Sequence, residues 1–212
     1  MISKTHNRRN DTELIPVHMA SWQLALKRMF DFVCAFLGIV FLSPLFVIIY
    51  IVLLTQRDGH PIFSQERIGM NGKPFKILKF RTMRLDAENG TPLLAQKEDS
   101  RLTSMGKFLR KHHLDELPQL WNVLKGDMSF VGYRPERQYF IDQIMTHDVR
   151  YQFLYQMRPG ITSDATIYNG YTDTMEKMLE RLSMDLHYLE TASLKGDIII
   201  ILKTLGIVAK GD

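Results

Sequence analysis

At 212 residues, 45% of them hydrophobic, the chain is long enough to bury a sizeable core as one domain or as one domain with an anchor. Its formal charge of +4 suits an anionic membrane surface or a phosphorylated substrate, but is too small to choose between these and nucleic acid. The one cysteine, Cys34, lies in an apolar run without a partner, which excludes an intrachain disulfide framework and favours a reducing compartment.

Residues 1–21 carry Lys4, Arg8 and Arg9 without apolar periodicity and are expected to form a basic tail. The apolar run that follows starts too late for a secretory signal and lacks a small-residue cleavage site. That run, residues 29–54, holds a single charge, Asp31, between Lys27-Arg28 and Arg57-Asp58. As a straight helix it would extend about 39 Å, enough to cross a bilayer core of about 30 Å. Pro44 falls near its middle and cannot donate to the carbonyl of Val40, whereas the Ser43 hydroxyl can help satisfy a freed group. Each arm is then roughly 20 Å long, too short to cross alone. Cations flank both ends, so the positive-inside rule gives no asymmetry. A kinked spanning helix and a re-entrant helix both fit; a buried core helix fits less well.

Residues 60–83 read as strands and turns, with turn signals at Gly59-His60-Pro61 and Asn71-Gly72-Lys73-Pro74. Strand alternation places Lys79 and Arg81 on one face with Phe75 and Ile77. Residues 86–100, polar and containing Gly90 and Pro92, are expected to be a loop.

The stretch from Leu114 to Asp127 organises the reading. Leu117, Leu120, Trp121 and Leu124 recur at helical spacing, Gly126 marks an end, and Pro118 is tolerable only in a first turn. Asp115 and Glu116 are therefore expected at a helix N-terminus, where the unpaired N–H groups favour carboxylates or a bound phosphate. An N-cap aspartate followed by a first-turn glutamate would give the same pattern. The surroundings point further: Arg101, Lys107, Arg110, Lys111, His112 and His113 precede the pair, and Arg134 and Arg137 follow it. Arg134 is biased to an extended conformation by Pro135. Two acids flanked on both sides by arginines fit a substrate carrying phosphates, with a divalent metal as mediator.

Downstream, residues 138–155 read as a helical stretch of mixed polarity ended by Arg158-Pro159-Gly160. Residues 161–170 read as a short strand or turn, and residues 175–189 as an amphipathic helix on Met178, Leu179, Leu182, Leu186 and Leu189. Asp185 lies one position off that apolar side, where spacing alone gives a surface carboxylate. Residues 197–209 form a strongly apolar helix too short to span, which should pack or lie at a membrane interface.

The run Arg110-Lys111-His112-His113-Leu114-Asp115-Glu116-Leu117-Pro118-Gln119-Leu120-Trp121-Asn122-Val123-Leu124-Lys125-Gly126-Asp127 continues into Met128-Ser129-Phe130-Val131-Gly132. It closely resembles the signature of the bacterial sugar transferases, the small monotopic phosphoglycosyl transferases. The resemblance covers about residues 26–209 and includes Phe63-Ser64-Gln65-Glu66-Arg67-Ile68-Gly69, residues 75–83 and Arg158-Pro159-Gly160-Ile161-Thr162.

The resemblance implies a mostly helical α+β protein with a small β element and amphipathic interface helices. Residues 22–58 would be a re-entrant membrane helix broken at Ser43-Pro44, and residues 59–212 a catalytic domain on the cytoplasmic face of the bacterial inner membrane. It further implies transfer of a phosphosugar from a nucleotide diphosphate sugar, of the UDP-sugar kind, to polyprenol (undecaprenyl) phosphate. Such transfer initiates capsule, exopolysaccharide or lipopolysaccharide O-antigen assembly. On matching positions Asp115 would be the nucleophile, Glu116 the Mg²⁺ ligand, and Arg110, Arg134 and Arg158 the partners of phosphoryl oxygens. Lys79 and Arg81 would contact phosphate, and Asp185 would join the site.

Two departures bear on specificity. Tyr133 stands where relatives usually have proline, and Ser163-Asp164-Ala165-Thr166 and Tyr171 replace a usual tryptophan, glutamine and arginine. With both acids kept, changed specificity is expected before lost activity. The rival reading is a catalytically idle membrane scaffold of a glycan-assembly complex, which has no need for these separated charges. A metal-dependent phosphotransferase on a soluble substrate comes next. Nucleic acid is not an expected partner, since no interleaved basic and aromatic stripe exists. A homodimer is compatible with the sequence, but no residue establishes one.

Overall fold

The computed structural model describes residues 15–56, 59–88, 90–94, 96, 99–170 and 172–210. Lys4, Arg8 and Arg9 of the expected tail, the Arg57-Asp58 flank and Tyr171 lie outside the described residues.

Helix α1, Ser21–Gln56, is helical throughout, and among the described residues it is the one helix long and apolar enough to cross a membrane. The expected break at Ser43-Pro44 does not interrupt it. Pro44 leaves the Val40 carbonyl without its helical donor, and the Ser43 hydroxyl fills that place at 2.8 Å.

One stripe of α1 faces the rest of the chain. In its first arm Lys27, Asp31 and Ala35 are buried; in its second arm Ile49 and Leu53 are. Between them Val40, Phe41, Leu42, Ser43 and Pro44 are exposed in succession, Phe41 at 75%, so the helix stands clear of the body all round its circumference there. The first arm is tied down by polar bonds. Lys27 donates to the Val131 carbonyl and pairs with Asp197, whose other oxygen accepts from the Tyr188 hydroxyl. Arg28 donates to the Val123 and Leu124 carbonyls, and Asp31 accepts from the Phe130 N–H.

The hairpin expected between residues 60 and 83 forms as β1, Ile62–Ile68, antiparallel to β2, Pro74–Phe80, around a 3₁₀ turn at Met70–Gly72. Asn71 and Gly72 both adopt positive φ in that turn, which an asparagine and a glycine tolerate best. Arg81 lies just past the end of β2.

Helix α2, Ser104–Lys111, was not anticipated from the cation-rich run that encodes it. Its N-cap Thr103 accepts from Gly106 N–H and donates its own N–H to the Thr82 carbonyl. The central helix is shorter than the pattern implied: α3 is Gln119–Lys125, with Pro118 as its N-cap and Gly126 at φ 100° ending it. Its buried side chains are Gln119, Asn122 and Val123, whereas the apolar stripe turns toward α1. Leu117 packs with Ile49 and Leu53, Leu124 packs with Ala35, and Leu120 sits against Gly38; Trp121 is 56% exposed.

Strands β3, Ser129–Val131, and β4, Gly160–Thr162, form a short parallel pair. A Cβ at either Gly132 or Gly160 would collide with the other strand's backbone, so the crossing admits only glycine there. The expected single helical stretch after this divides at Asp148 into α4, Gln138–His147, and a 3₁₀ segment, Val149–Gln156. The segment read as strand or turn is β4 followed by a five-residue helix, α5, Asp164–Tyr168, capped by Ser163. Helices α6, Met175–Thr191, and α7, Leu194–Lys210, close the chain. The largest core gathers Ile141, Ile144, Leu154, Leu182 and Leu189 around Val131 and Tyr133. On α7, Ile198, Ile199, Leu202 and Leu205 remain exposed.

Candidate active site

His113, in the left-handed region at φ 53°, turns the chain sharply out of α2 into a 3₁₀ turn at Leu114–Glu116. Leu114 and Leu117 anchor that turn among Ile49, Leu53, Phe80 and Leu109, so Asp115 and Glu116 are held between two apolar anchors. The acids thus stand ahead of a seven-residue helix, and their charge is met by side chains from three other segments and from His113 at the head of their own turn.

Strand β2 supplies the first. Phe75 and Ile77 pack toward α3 beside Val123, and Lys79, two residues further on the same face, reaches Glu116 Oε1 at 2.7 Å. Asn122 locks this arrangement: its amide oxygen accepts from Leu78 N–H at 3.0 Å and its amide nitrogen donates to the Lys76 carbonyl at 2.8 Å. Arg134, just beyond the glycine crossing of β3 and β4, places Nη1 at 3.7 Å from the same Glu116 oxygen. Arg110, in the last turn of α2, donates from Nε to the buried Thr82 hydroxyl at 3.1 Å, and its charge reaches Asp115. His113 adds a further favourable interaction with both acids.

The two carboxyls are driven apart. Burial raises Asp115 above the usual carboxylate range, opposed by Lys79 and reinforced by Glu116. Burial acts on Glu116 in the same sense, but Lys79 and Arg134 outweigh it and hold Glu116 below its ordinary value. Glu116 is thus the fixed anion, and Asp115, 5% exposed, the weakly solvated carboxyl beside it.

Asp185 is buried on α6, not at the surface as its spacing implied. The charges of Arg181 and Arg134 favour its ionised form. Burial lifts its carboxyl to about 7 against the pull of Arg181. Two predicted residues are not brought to the acid pair. Arg81 donates to the His60 carbonyl and lies over the Phe63 ring. Arg158 donates to the Gly126 carbonyl at the far end of α3, about 15 Å away by helix rise, beside Arg28 and Asp31. Thr82 and Asn122 carry no sequence signal of their roles, which arise from tertiary contacts, whereas His113 stands among the cations that precede the pair in sequence.

No group of three or more histidine, cysteine, aspartate or glutamate side chains converges among the described residues. The donor set at the acid pair is therefore one or two carboxylates. A divalent ion there would need further oxygens from substrate phosphates and water, as Mg²⁺ sites use, and the pair is not a protein-only cage.

The chain matches the bacterial sugar transferase family over residues 22–211 and belongs to that family. It is 36% identical over 186 residues to the UDP-N-acetylgalactosamine-undecaprenyl-phosphate N-acetylgalactosaminephosphotransferase of Aeromonas hydrophila, covering 88% of this chain and 44% of the relative. It is 40% identical over 184 residues to the UDP-glucose:undecaprenyl-phosphate glucose-1-phosphate transferase of Klebsiella pneumoniae, covering 86% and 40%. To the exopolysaccharide production protein ExoY of Sinorhizobium fredii it is 36% identical over 200 residues, covering 86% and 84%. The chain thus spans less than half the length of the first two relatives and most of the third.

Proposed function

We propose that this chain transfers a phosphosugar from a nucleotide diphosphate sugar, of the UDP-sugar kind, to polyprenol phosphate at a membrane surface. The observation that carries the reading is the convergence of Lys79, Arg110 and Arg134 on the Asp115 and Glu116 pair, beside a long apolar helix, in a member of this family.

In the first step an Asp115 carboxylate oxygen attacks the β-phosphorus of the donor. The bond from that phosphorus to the bridging oxygen breaks, and nucleoside monophosphate leaves with the electron pair. In the second, a phosphate oxygen of the polyprenol phosphate attacks the same phosphorus, and the bond to Asp115 breaks to restore the carboxylate. The burial that raises Asp115 also strips its hydration, so it meets the phosphorus poorly solvated, with Lys79 and Arg110 favouring its charged form. Arg134 and Lys79, which meet at Glu116, would stabilise the charge that develops on the phosphoryl oxygens. Glu116 would hold Mg²⁺, which when bound neutralises diphosphate charge so that a carboxylate can approach. The relatives' names carry N-acetylgalactosamine and glucose at similar identity, so identity alone does not select the sugar.

Intact-mass measurement of the detergent-purified protein with Mg²⁺ and a panel of UDP-sugars tests the reading. A phosphosugar adduct is expected on wild type, discharged by undecaprenyl phosphate, absent from Asp115→Asn and absent after chelation of the metal. Folded wild-type protein that yields neither adduct nor nucleoside monophosphate across the panel would sink it and favour the scaffold.

A further inference from the structure

Lys79 and Arg110 are each fixed by a side-chain hydrogen bond, to Glu116 at 2.7 Å and to the Thr82 hydroxyl at 3.1 Å. The Arg134 guanidinium meets Glu116 only at 3.7 Å, beyond hydrogen-bond reach. Its place therefore depends on the main chain that carries it.

That main chain is pinned on both sides. Ahead of Arg134, the Tyr133 carbonyl accepts from Gly160 N–H at 2.8 Å. Beyond it, the end of β1 takes hold: Ile68 N–H donates to the Glu136 carbonyl at 3.1 Å, and Arg67 Nη1 donates to the Pro135 carbonyl at 3.2 Å and to Glu136 Oε2 at 3.1 Å. Pro135 has a fixed φ and no N–H, so its carbonyl is the one backbone group by which it can be held. Arg67 is itself aimed. Its Nη2 donates at 2.7 Å to Oε1 of Gln65, two residues back on the same face of β1. Glu136, 9% exposed, is closed in from the other side, with Oε1 at 3.9 Å from Nη1 of the buried Arg181. Arg181 in turn donates from Nη2 to the Gly170 carbonyl at 3.2 Å. One guanidinium at position 67 thus bridges a carbonyl, a carboxylate and an amide oxygen. A lysine ammonium, a point charge without the planar fork, does not reproduce that geometry.

We propose that Arg67, aimed by Gln65 and Glu136, is a positioning residue: it fixes the Arg134–Pro135–Glu136 main chain, and so the guanidinium that faces Glu116. The kinetic part of this inference rests on the transferase reading; the placement of Arg134 does not.

Arg67→Lys keeps the charge opposite Glu136 and gives up the fork. Its kcat is expected to fall about tenfold, with the KM for nucleotide sugar held within about twofold. A purely structural ion pair would lower the melting temperature and leave kcat per folded molecule intact. A second arm needs no turnover. In protein labelled with ¹⁵N-arginine, the Arg134 Nε resonance is identified by its loss in Arg134→Lys. Its heteronuclear NOE should fall in Arg67→Lys, as the guanidinium gains motion. An unchanged kcat, a loss carried by KM instead, or an unmoved NOE each overturns the proposal and leaves Arg67 as an ion-pair partner of Glu136. If Arg67→Lys gives no cooperative melt, Glu136→Gln takes its place. There an amide oxygen still accepts from Arg67 but holds it less firmly, so the NOE should fall and kcat drop about threefold. Should wild type transfer nothing, the transferase reading fails by itself, and the NOE alone decides between the two outcomes for Arg67.

Discussion

Lys79 and Arg134 share a single oxygen of Glu116, at 2.7 and 3.7 Å, and the shorter contact carries most of the compensation. The Lys79 and Glu116 side chains keep 20% and 15% exposure, so losing the lysine costs less than breaking a fully buried pair. Lys79→Ala is expected to lower stability by about 2 kcal/mol, and the double change Lys79→Ala/Glu116→Gln to recover most of that loss, since no carboxylate is then left short of a partner. Denaturant unfolding in detergent measures both; equal loss in the single and double variants would refute the pairing argument. Asp185 gives a second expectation, in pH. Its folded pKa of about 7 exceeds the ordinary 3.8, so the native state binds the proton more tightly across that window. The stability from this group therefore falls as pH rises from about 4 to about 7 and is level above. Asp185→Asn should flatten that slope, so that melting temperatures at about pH 5 and about pH 8 differ less than in wild type. The acids and the arginines nearest them were legible because their charges crowd one stretch of sequence. Burial of Asp185 and Tyr133 was not, since it is decided by what α6 and the β3–β4 crossing pack against.

Among the elements, α2 shows how a site residue is carried by a docking contact. Gly106 lies flat on the Thr82 backbone, where a Cβ would collide with the carbonyl, and Thr103 N–H and the Arg110 guanidinium bond to the same threonine's two oxygens. Gly106→Ala should therefore push α2 off β2, cost about 2–3 kcal/mol and draw Arg110 away from Asp115. The expected result is a lower melting temperature together with a fall in kcat; an alanine variant as stable and active as wild type would show that α2 is not docked this way. The hairpin and α6 were readable because turn residues and apolar periodicity mark them. Helix α2 was hidden by its charges, and β3 and β4 are three residues each, too short for any period to show. The apolar stripe through Leu117, Leu120 and Leu124 was read correctly as a face. That face meets α1, while the polar Gln119 and Asn122 go inside, where Asn122 bridges strand and helix.

For the whole molecule, the path of α1 decides which side of a membrane the acid pair occupies. A straight helix of 36 residues would be about 54 Å long, more than a bilayer core needs. Both of its arms nevertheless return to the same body. Lys27, Arg28 and Asp31 bond to Val131, Val123 and Phe130, and Phe46 stacks on Phe80 at 4.7 Å, with Leu53 packed in the same cluster. Only the stretch around Ser43-Pro44, where a side-chain hydroxyl replaces the missing backbone donor, stands away from the body. For a helix held to the body at both ends and free at its middle, we propose insertion into one leaflet from one side, because a spanning path would separate one set of these contacts from the other. The expectation is tested in a Cys34→Ser background with single cysteines at two exposed helix ends, Trp22→Cys and Thr55→Cys. A membrane-impermeant maleimide should modify both in inside-out vesicles and neither in sealed right-side-out ones. Modification of the two from opposite sides would establish a spanning helix. The contacts of Lys27 with Val131 and Asp197 could then not coexist with those of Ile49 and Leu53 on the turn that holds Asp115.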